Sequence, residues 1–214
     1  MLRTLDEKVD PRNAALVVID VQNDFCHPDG AMAKNGASVA PMQAMVPRLN
    51  RLIESARRTG VPVIFVRVTH TAEDDSEVWL ERNLNRKHYV CLDGSWGAEW
   101  YLVSPAEGEP VVVKHRYSAF TGTVLNELLR SKGVKSLILT GTTTDMCVES
   151  TARDGFMHDY YIVFVDDCAA TSLPEDHGRT LERMTRTFGL IATADEIEGA
   201  WAKVQTVAPL ARPS

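Results

Sequence analysis

Short apolar runs alternate along this chain with amphipathic stretches whose apolar residues recur every three or four positions. Ala14–Ile19 (AALVVI) and residues 61–68, after Pro62, read as strands buried on both faces. Between them Val39, Met42, Met45, Val46, Leu49, Ile53 and Ala56 repeat at helical spacing, and Gly60 stops that helix. The same grammar predicts a strand at Val111–Lys114, a helix carrying Val124, Leu125, Leu128 and Leu129 up to Gly133, and a strand at 136–140. A helix over 147–157, a strand at 160–165, a helix over 175–188 and a short strand at 190–192 follow. Thr193-x-x-Glu196 is a capping box opening the last helix. Strands alternating with helices of this length build parallel βαβ units, so the fold class is α/β, an open sheet with helices on both faces in a single domain spanning 1–214.

Residues 69–110 break the rhythm, because about forty positions is long for one crossover. The stretch holds an acidic run (Glu73, Asp74, Asp75, Glu77), a helix-like piece over 78–87, and a loop from Asp93 to Trp100 that includes Trp96. It is either a plain surface insertion or a lid or subunit contact.

Composition narrows the function classes. The chain has 214 residues, 44% hydrophobic and 24% charged, with 23 basic against 29 acidic side chains and a net charge of −6. The absence of a basic balance argues against nucleic-acid or anionic-membrane binding. The longest apolar runs fall far short of the ~20 residues that cross a bilayer, and MLRTLDEKVDPRN has no apolar core of a secretory signal. Cys26, Cys91, Cys147 and Cys168 lack C-x-x-C spacing, which suits reduced thiols and a cytoplasmic location.

In an open α/β sheet, ligands bind beyond the carboxyl ends of the strands where strand order reverses. Three strand ends deliver reactive groups: Asp20 after the first strand, Lys114 at the end of 111–114, and Cys147 after Gly141-Thr142-Thr143-Thr144-Asp145-Met146. A lysine cation and a helix start depress a thiol pKa, and an acid beside both can take the thiol proton and return it to a leaving group. Singly, each residue has a plainer reading: a small core cysteine, a turn aspartate, a solvated lysine. Together at one sheet edge they point to nucleophilic chemistry.

The sequence resembles the isochorismatase-like cysteine hydrolases in three ordered blocks. They are Ile19-Asp20-Val21-Gln22-Asn23-Asp24-Phe25, Lys114-x-x-x-Ser118-Ala119-Phe120, and Gly141-x-x-Thr144-x-x-Cys147-Val148-Glu149-Ser150-Thr151-Ala152-Arg153-Asp154. The resemblance implies a doubly wound, six-stranded parallel sheet and a catalytic triad of Asp20, Lys114 and Cys147. It also implies a cis peptide at Thr142–Thr143 and an oxyanion hole from the N–H groups of Thr143 and Cys147. The implied reaction is amide hydrolysis through a thioester, with no cofactor, and homo-oligomers (dimers or tetramers) are common in the family.

Nicotinamidases of this superfamily hold a metal through Asp-x-His and a later histidine. Here the stretch is Arg67-Val68-Thr69-His70-Thr71, so a metal-free site is expected. The run from Cys147 to Phe156 looks most like the ureidoacrylate amidohydrolases, which points to a small ureido or carbamoyl amide as substrate. An isochorismatase-type hydrolase of a non-amide substrate and a non-catalytic scaffold are the alternatives. A nucleotide-binding module lacks its glycine-rich fingerprints. By position, Phe25, Tyr117, Phe120, Trp96 and His177 are candidates for the substrate pocket, each with core packing or solvent exposure as the plainer role.

Overall fold

The computed structural model describes residues 1–207. Six parallel strands form one sheet: β1 (Ala14–Ile19), β2 (Val63–Val68), β3 (Val111–Lys114), β4 (Ser136–Thr142), β5 (Tyr161–Ala170) and β6 (Gly189–Ala192). Their spatial order is β3-β2-β1-β4-β5-β6, so strand order reverses between β1 and β4. Ile19 pairs with Val66 on one side and Gly141 on the other, which brings three strand ends to one edge.

In chain order the helices are α1 (Leu5–Val9), α2 (Asn23–Cys26), α3 (Ala31–Lys34), α4 (Ala40–Thr59), α5 (Glu77–Asn83), α6 (Leu125–Ser131), α7 (Glu149–Met157), α8 (Pro174–Thr187) and α9 (Ala194–Val207). Neighbouring residues of each strand feed opposite cores. Leu16, Val18, Val63, Phe65, Ile138 and Val163 face one side, where they meet α4 (Ala40–Thr59) and α9 (Ala194–Val207). Ala15, Val17, Ile19, Ile64, Leu137 and Phe164 face the other, against α6 (Leu125–Ser131), α7 (Glu149–Met157) and α8 (Pro174–Thr187). Burying each such Val, Leu, Ile or Phe side chain contributes about 1.5–3 kcal/mol. α4 ends where Gly60 takes φ 77°, as the glycine stop predicts. The Thr193/Glu196 capping box is present in both directions. The first turn of the chain, α1 (Leu5–Val9), carries its own capping box from Thr4 and Glu7, and Trp201 donates its indole N–H to Val9 O at 2.7 Å.

Two expectations change. β5 runs on to Ala170 although Asp166 and Asp167 interrupt its apolar pattern. The β4–β5 register shifts between Leu139 and Gly141; there Asp167 meets Arg48 and caps Ala194, while Asp166 takes His177, so both charges leave the core. The helix expected over 147–157 begins with a π-helical turn, Thr144–Val148, in which the Val148 N–H reaches back to Thr143 O. Cys147 therefore sits in the turn ahead of α7.

Among the described residues no helix is long and apolar enough to cross a membrane. All four cysteines are free and buried.

Candidate active site

Asp20 follows β1 in the left-handed region, φ 51°, a conformation that aspartate tolerates better than most residues and that marks a constrained turn. Its N–H donates to Val66 O, and its carbonyl accepts from the Gln22 N–H and the Thr142 hydroxyl. Gly141 makes the crossing close: with φ 111° its Cα lies against Ile19, and a side chain there would overlap the Ile19 carbonyl. The Thr142–Thr143 peptide is cis.

The three reactive groups meet. Lys114 Nζ lies 2.7 Å from Asp20 Oδ2 and 3.4 Å from Cys147 Sγ, and it donates to Arg116 O at 2.9 Å. Asp20 and Lys114 have no exposure and Cys147 only 5%. Burial raises the Asp20 carboxyl above its ordinary range, although Lys114 pulls it down. Burial also works against the charge on Lys114, but Asp20 and Cys147 outweigh it and the ammonium is held above its usual value.

The expected low thiol pKa is overturned. Burial pushes Cys147 up to about 12; Lys114 opposes this and Asp20 adds to it. The physical reason is that Asp20 already neutralises Lys114, leaving little net field to offset desolvation of a thiolate. Burial thus favours the thiol form of Cys147 over a thiolate.

A cavity of about 230 Å³ opens onto this cluster. Of the residues picked from sequence, Phe25, Tyr117, Lys114, Thr143 and Cys147 line it. Phe120 does not: it is buried against His158 and Tyr160 behind α7, because its neighbour Ala119 is tied by its N–H to Thr151. Trp96 is 47% exposed and edge-on to His27, outside the cavity lining. His177 faces another cavity with Arg48 and Asp167; its Nδ1 lies 2.9 Å from Thr144 Oγ1 and its Nε2 2.8 Å from Asp166, so it braces the turn that carries Cys147.

The insertion forms the facing wall. His70, Trp79, Arg82, Arg86 and Val90 line the cavity, as do Arg116 and Asp145. Trp79 stacks on His70 at 5.0 Å and packs on Tyr117 at 4.9 Å. His70 Nδ1 lies 2.8 Å from Asp75, whose other oxygen accepts from the Tyr89 hydroxyl. Burial holds the His70 pKa below its ordinary value despite Asp75. Trp79 Nε1 and Asp145 Oδ1 are buried without a hydrogen-bond partner among the described residues, one donor and one acceptor on the cavity wall. Sequence reading missed this wall, although Trp79, Arg82 and Arg86 stand three and four residues apart, the spacing of one helix face.

The remaining polar residues of the first block hold the insertion in place. Gln22 bridges Val68 and Ala98 through both ends of its amide, and Asn23 donates to Trp96 O. Asp24 accepts from the Ala31 and Cys91 N–H groups, packed so closely on Gly97 that a Cβ there would overlap its carboxylate.

The sequence and the fold both have known relatives. The model of the isochorismatase domain matches residues 14–196. A ureidoacrylate amidohydrolase, RutB, of Methylobacterium radiotolerans is 31% identical over 210 residues, covering 90% of this chain and 81% of its own. The crystal structure of a cysteine hydrolase from Pseudomonas syringae pv. phaseolicola superposes with a TM-score of 0.83 at 25% identity, covering 95% of this chain and 97% of that one. N-carbamoylsarcosine amidase from Thermoplasma acidophilum gives 0.73 at 31% identity over 87% and 99%. The match over most of the chain, with the six-stranded parallel sheet, shows that this protein belongs to the isochorismatase family.

Proposed function

We propose that this protein hydrolyses a C–N bond of a small linear ureido or carbamoyl amide, with Cys147 as nucleophile and a thioester intermediate. The coarser activity follows from its relatives: it is an amidohydrolase, acting on carbon–nitrogen bonds other than peptide bonds. The observation that carries the finer reading is the buried cluster of Lys114 Nζ between Asp20 and Cys147 Sγ, opening onto one small cavity.

In this mechanism Cys147 Sγ attacks the substrate carbonyl as Asp20 takes its proton, so no free thiolate need accumulate. Lys114 stabilises the ionised acid. The N–H groups of Thr143 and Cys147 receive the oxyanion. The C–N bond then breaks, and the nitrogen leaves with the proton from Asp20 as ammonia or an amine. Asp20 next draws a proton from water, which attacks the thioester; the acid is released and the thiol is restored. The net reaction adds one water across the C–N bond.

Ammonia release over ureido acids, N-carbamoyl amino acids, biuret and nicotinamide, with Cys147→Ala in parallel, tests the reading. Turnover of ureido or carbamoyl compounds that the substitution abolishes supports it. Full activity in Cys147→Ala, or turnover confined to nicotinamide, overturns it. Self-assembly into dimers or tetramers, implied by the family resemblance, is checked by light scattering.

A further inference from the structure

We infer that the mouth of the cavity is a carboxylate subsite, in which Arg82, Arg86 and Arg116 hold an anionic end of the substrate while the scissile amide lies on Cys147. This rests on the proposed catalytic role of Cys147 and names the substrate class of that site more closely.

The charge distribution motivates it. The chain is acidic overall, at −6, yet three guanidinium groups and one carboxylate, Asp145, line the cavity besides the Lys114 cluster. Lys114 is already matched by Asp20 at 2.7 Å. Among the described residues Arg82, Arg86 and Arg116 join no ion pair; the Arg116 guanidinium donates instead to the backbone oxygens of His115 and Asp74, which holds it over the Trp79 ring. Arg82 and Arg86 are exposed while Lys114 and Cys147 are buried, so the cavity has a cationic mouth and a reactive floor.

The surface outside continues the pattern. A more open cavity of about 520 Å³ shares Met32 and Arg86 with the first, adds Lys34 and Lys87, and has no acidic side chain among its described lining residues. A cationic approach on an acidic protein raises the local concentration of anions and steers them inward. Guanidinium groups match the planar, two-oxygen face of a carboxylate in paired hydrogen bonds. The inner volume of about 230 Å³ suits a short linear acid, with its carboxylate outward and its amide at the floor. Trp79 and Arg82 stand three residues apart on the helix Glu77–Asn83 and Arg86 follows just beyond its end; all three line the same cavity, so the aromatic plane and two of the charges meet the same ligand.

The test uses three compounds of one length, succinate, succinamate and succinamide, binding to Cys147→Ala by calorimetry, where no turnover intervenes. The two acids are expected to bind at least about tenfold more tightly than the neutral diamide, a difference that shrinks as salt rises. Arg82→Gln/Arg86→Gln should remove the preference, and Arg82→Lys/Arg86→Lys should retain part of it. Both arginines are exposed and, among the described residues, outside ion pairs, so unfolding is not expected, and circular dichroism checks it. Equal binding of acid and diamide, or an unchanged preference in the double Gln variant, overturns the subsite. So does tighter binding of inorganic phosphate than of either acid.

A second readout is turnover. For a carbamoyl acid the Gln variant should raise KM with little change in kcat, since the arginines stand away from the reacting atoms; an equal fall in kcat would contradict this placement. Silence of every amide in the ammonia assay would sink the amidase reading and leave the calorimetric result to decide the subsite by itself.

Discussion

Lys114 Nζ sits 2.7 Å from Asp20 Oδ2 with neither side chain exposed, and the same ammonium lies 3.4 Å from Cys147 Sγ. One buried cation is thus the shared neighbour of the acid and the thiol. Removing either charge strands the other without solvent. Lys114→Met is expected to cost about 3–5 kcal/mol of stability, because it leaves a buried carboxylate unpaired. Asp20→Asn should lower turnover by at least about 10²-fold through loss of the proton acceptor. Urea unfolding and ammonia release, run on both variants, check the two effects separately.

Thiol chemistry gives a second prediction. Burial pushes Cys147 up to about 12, and Cys26, Cys91 and Cys168 are raised by burial as well. Alkylation of the free protein by iodoacetamide should therefore keep rising between pH 7 and pH 10. It should fall first on Cys147, which among the four is the one lining the cavity. A plateau reached at or below pH 7 would show a resting thiolate and contradict the proposed proton transfer to Asp20.

Glu149 links α7 to α8 through Arg183 and Thr180 and pairs with Arg153 on its own helix. Burial by itself would raise its carboxyl, but Arg183, Arg153 and Thr180 hold it below the ordinary value of 4.5. Its folded pKa lies below its unfolded one, so its contribution to stability is present above about pH 4.5 and fades as the pH falls through the folded value. Glu149→Gln should cost about 1.5–3 kcal/mol at pH 7, with the gap to the unaltered protein closing in acid. Asp20 acts in the opposite sense: burial raises its folded pKa, so its contribution is present at low pH and is lost as pH rises. Denaturant midpoints measured from pH 3 to pH 7 read the Glu149 effect directly.

Gly97 is expected to tolerate no side chain. A Cβ there would overlap the Asp24 carboxylate, which holds the N–H groups of Ala31 and Cys91. Gly97→Ala should loosen the insertion without disturbing the sheet. Faster hydrogen exchange over residues 90–100, with a raised KM and a nearly unchanged exchange pattern in β1 and β4, is the expected signature.

The strand–helix order and the meeting of Asp20, Lys114 and Cys147 were legible because they rest on local signals: buried apolar runs, glycine stops, and strand ends in a doubly wound sheet. Ala14–Ile19 and Val111–Lys114 match their expected limits. The cavity wall was harder to read. Trp79 and Arg82 lie on a helix with no buried residue, so no apolar stripe marks it, and their place beside Cys147 depends on Gln22, Asn23 and Asp24 clamping a distant loop. Phe120 and Trp96 misled because an aromatic near a motif can pack into a core or face solvent, and sequence spacing does not separate those outcomes. The thiol pKa failed for an energetic reason: proximity of Lys114 was visible, but its neutralisation by Asp20 and the burial of all three groups were not.

The central claim is that Cys147 carries the acyl group. Rapid quenching of a turning-over mixture in acid, followed by intact-mass and peptide-level mass spectrometry, tests it most directly. The account predicts a fraction of the protein heavier by the acyl portion of the substrate, with the added mass on the peptide containing Cys147 and absent in Cys147→Ala. Steady turnover with no adduct on that peptide, together with activity surviving in Cys147→Ala, would contradict it.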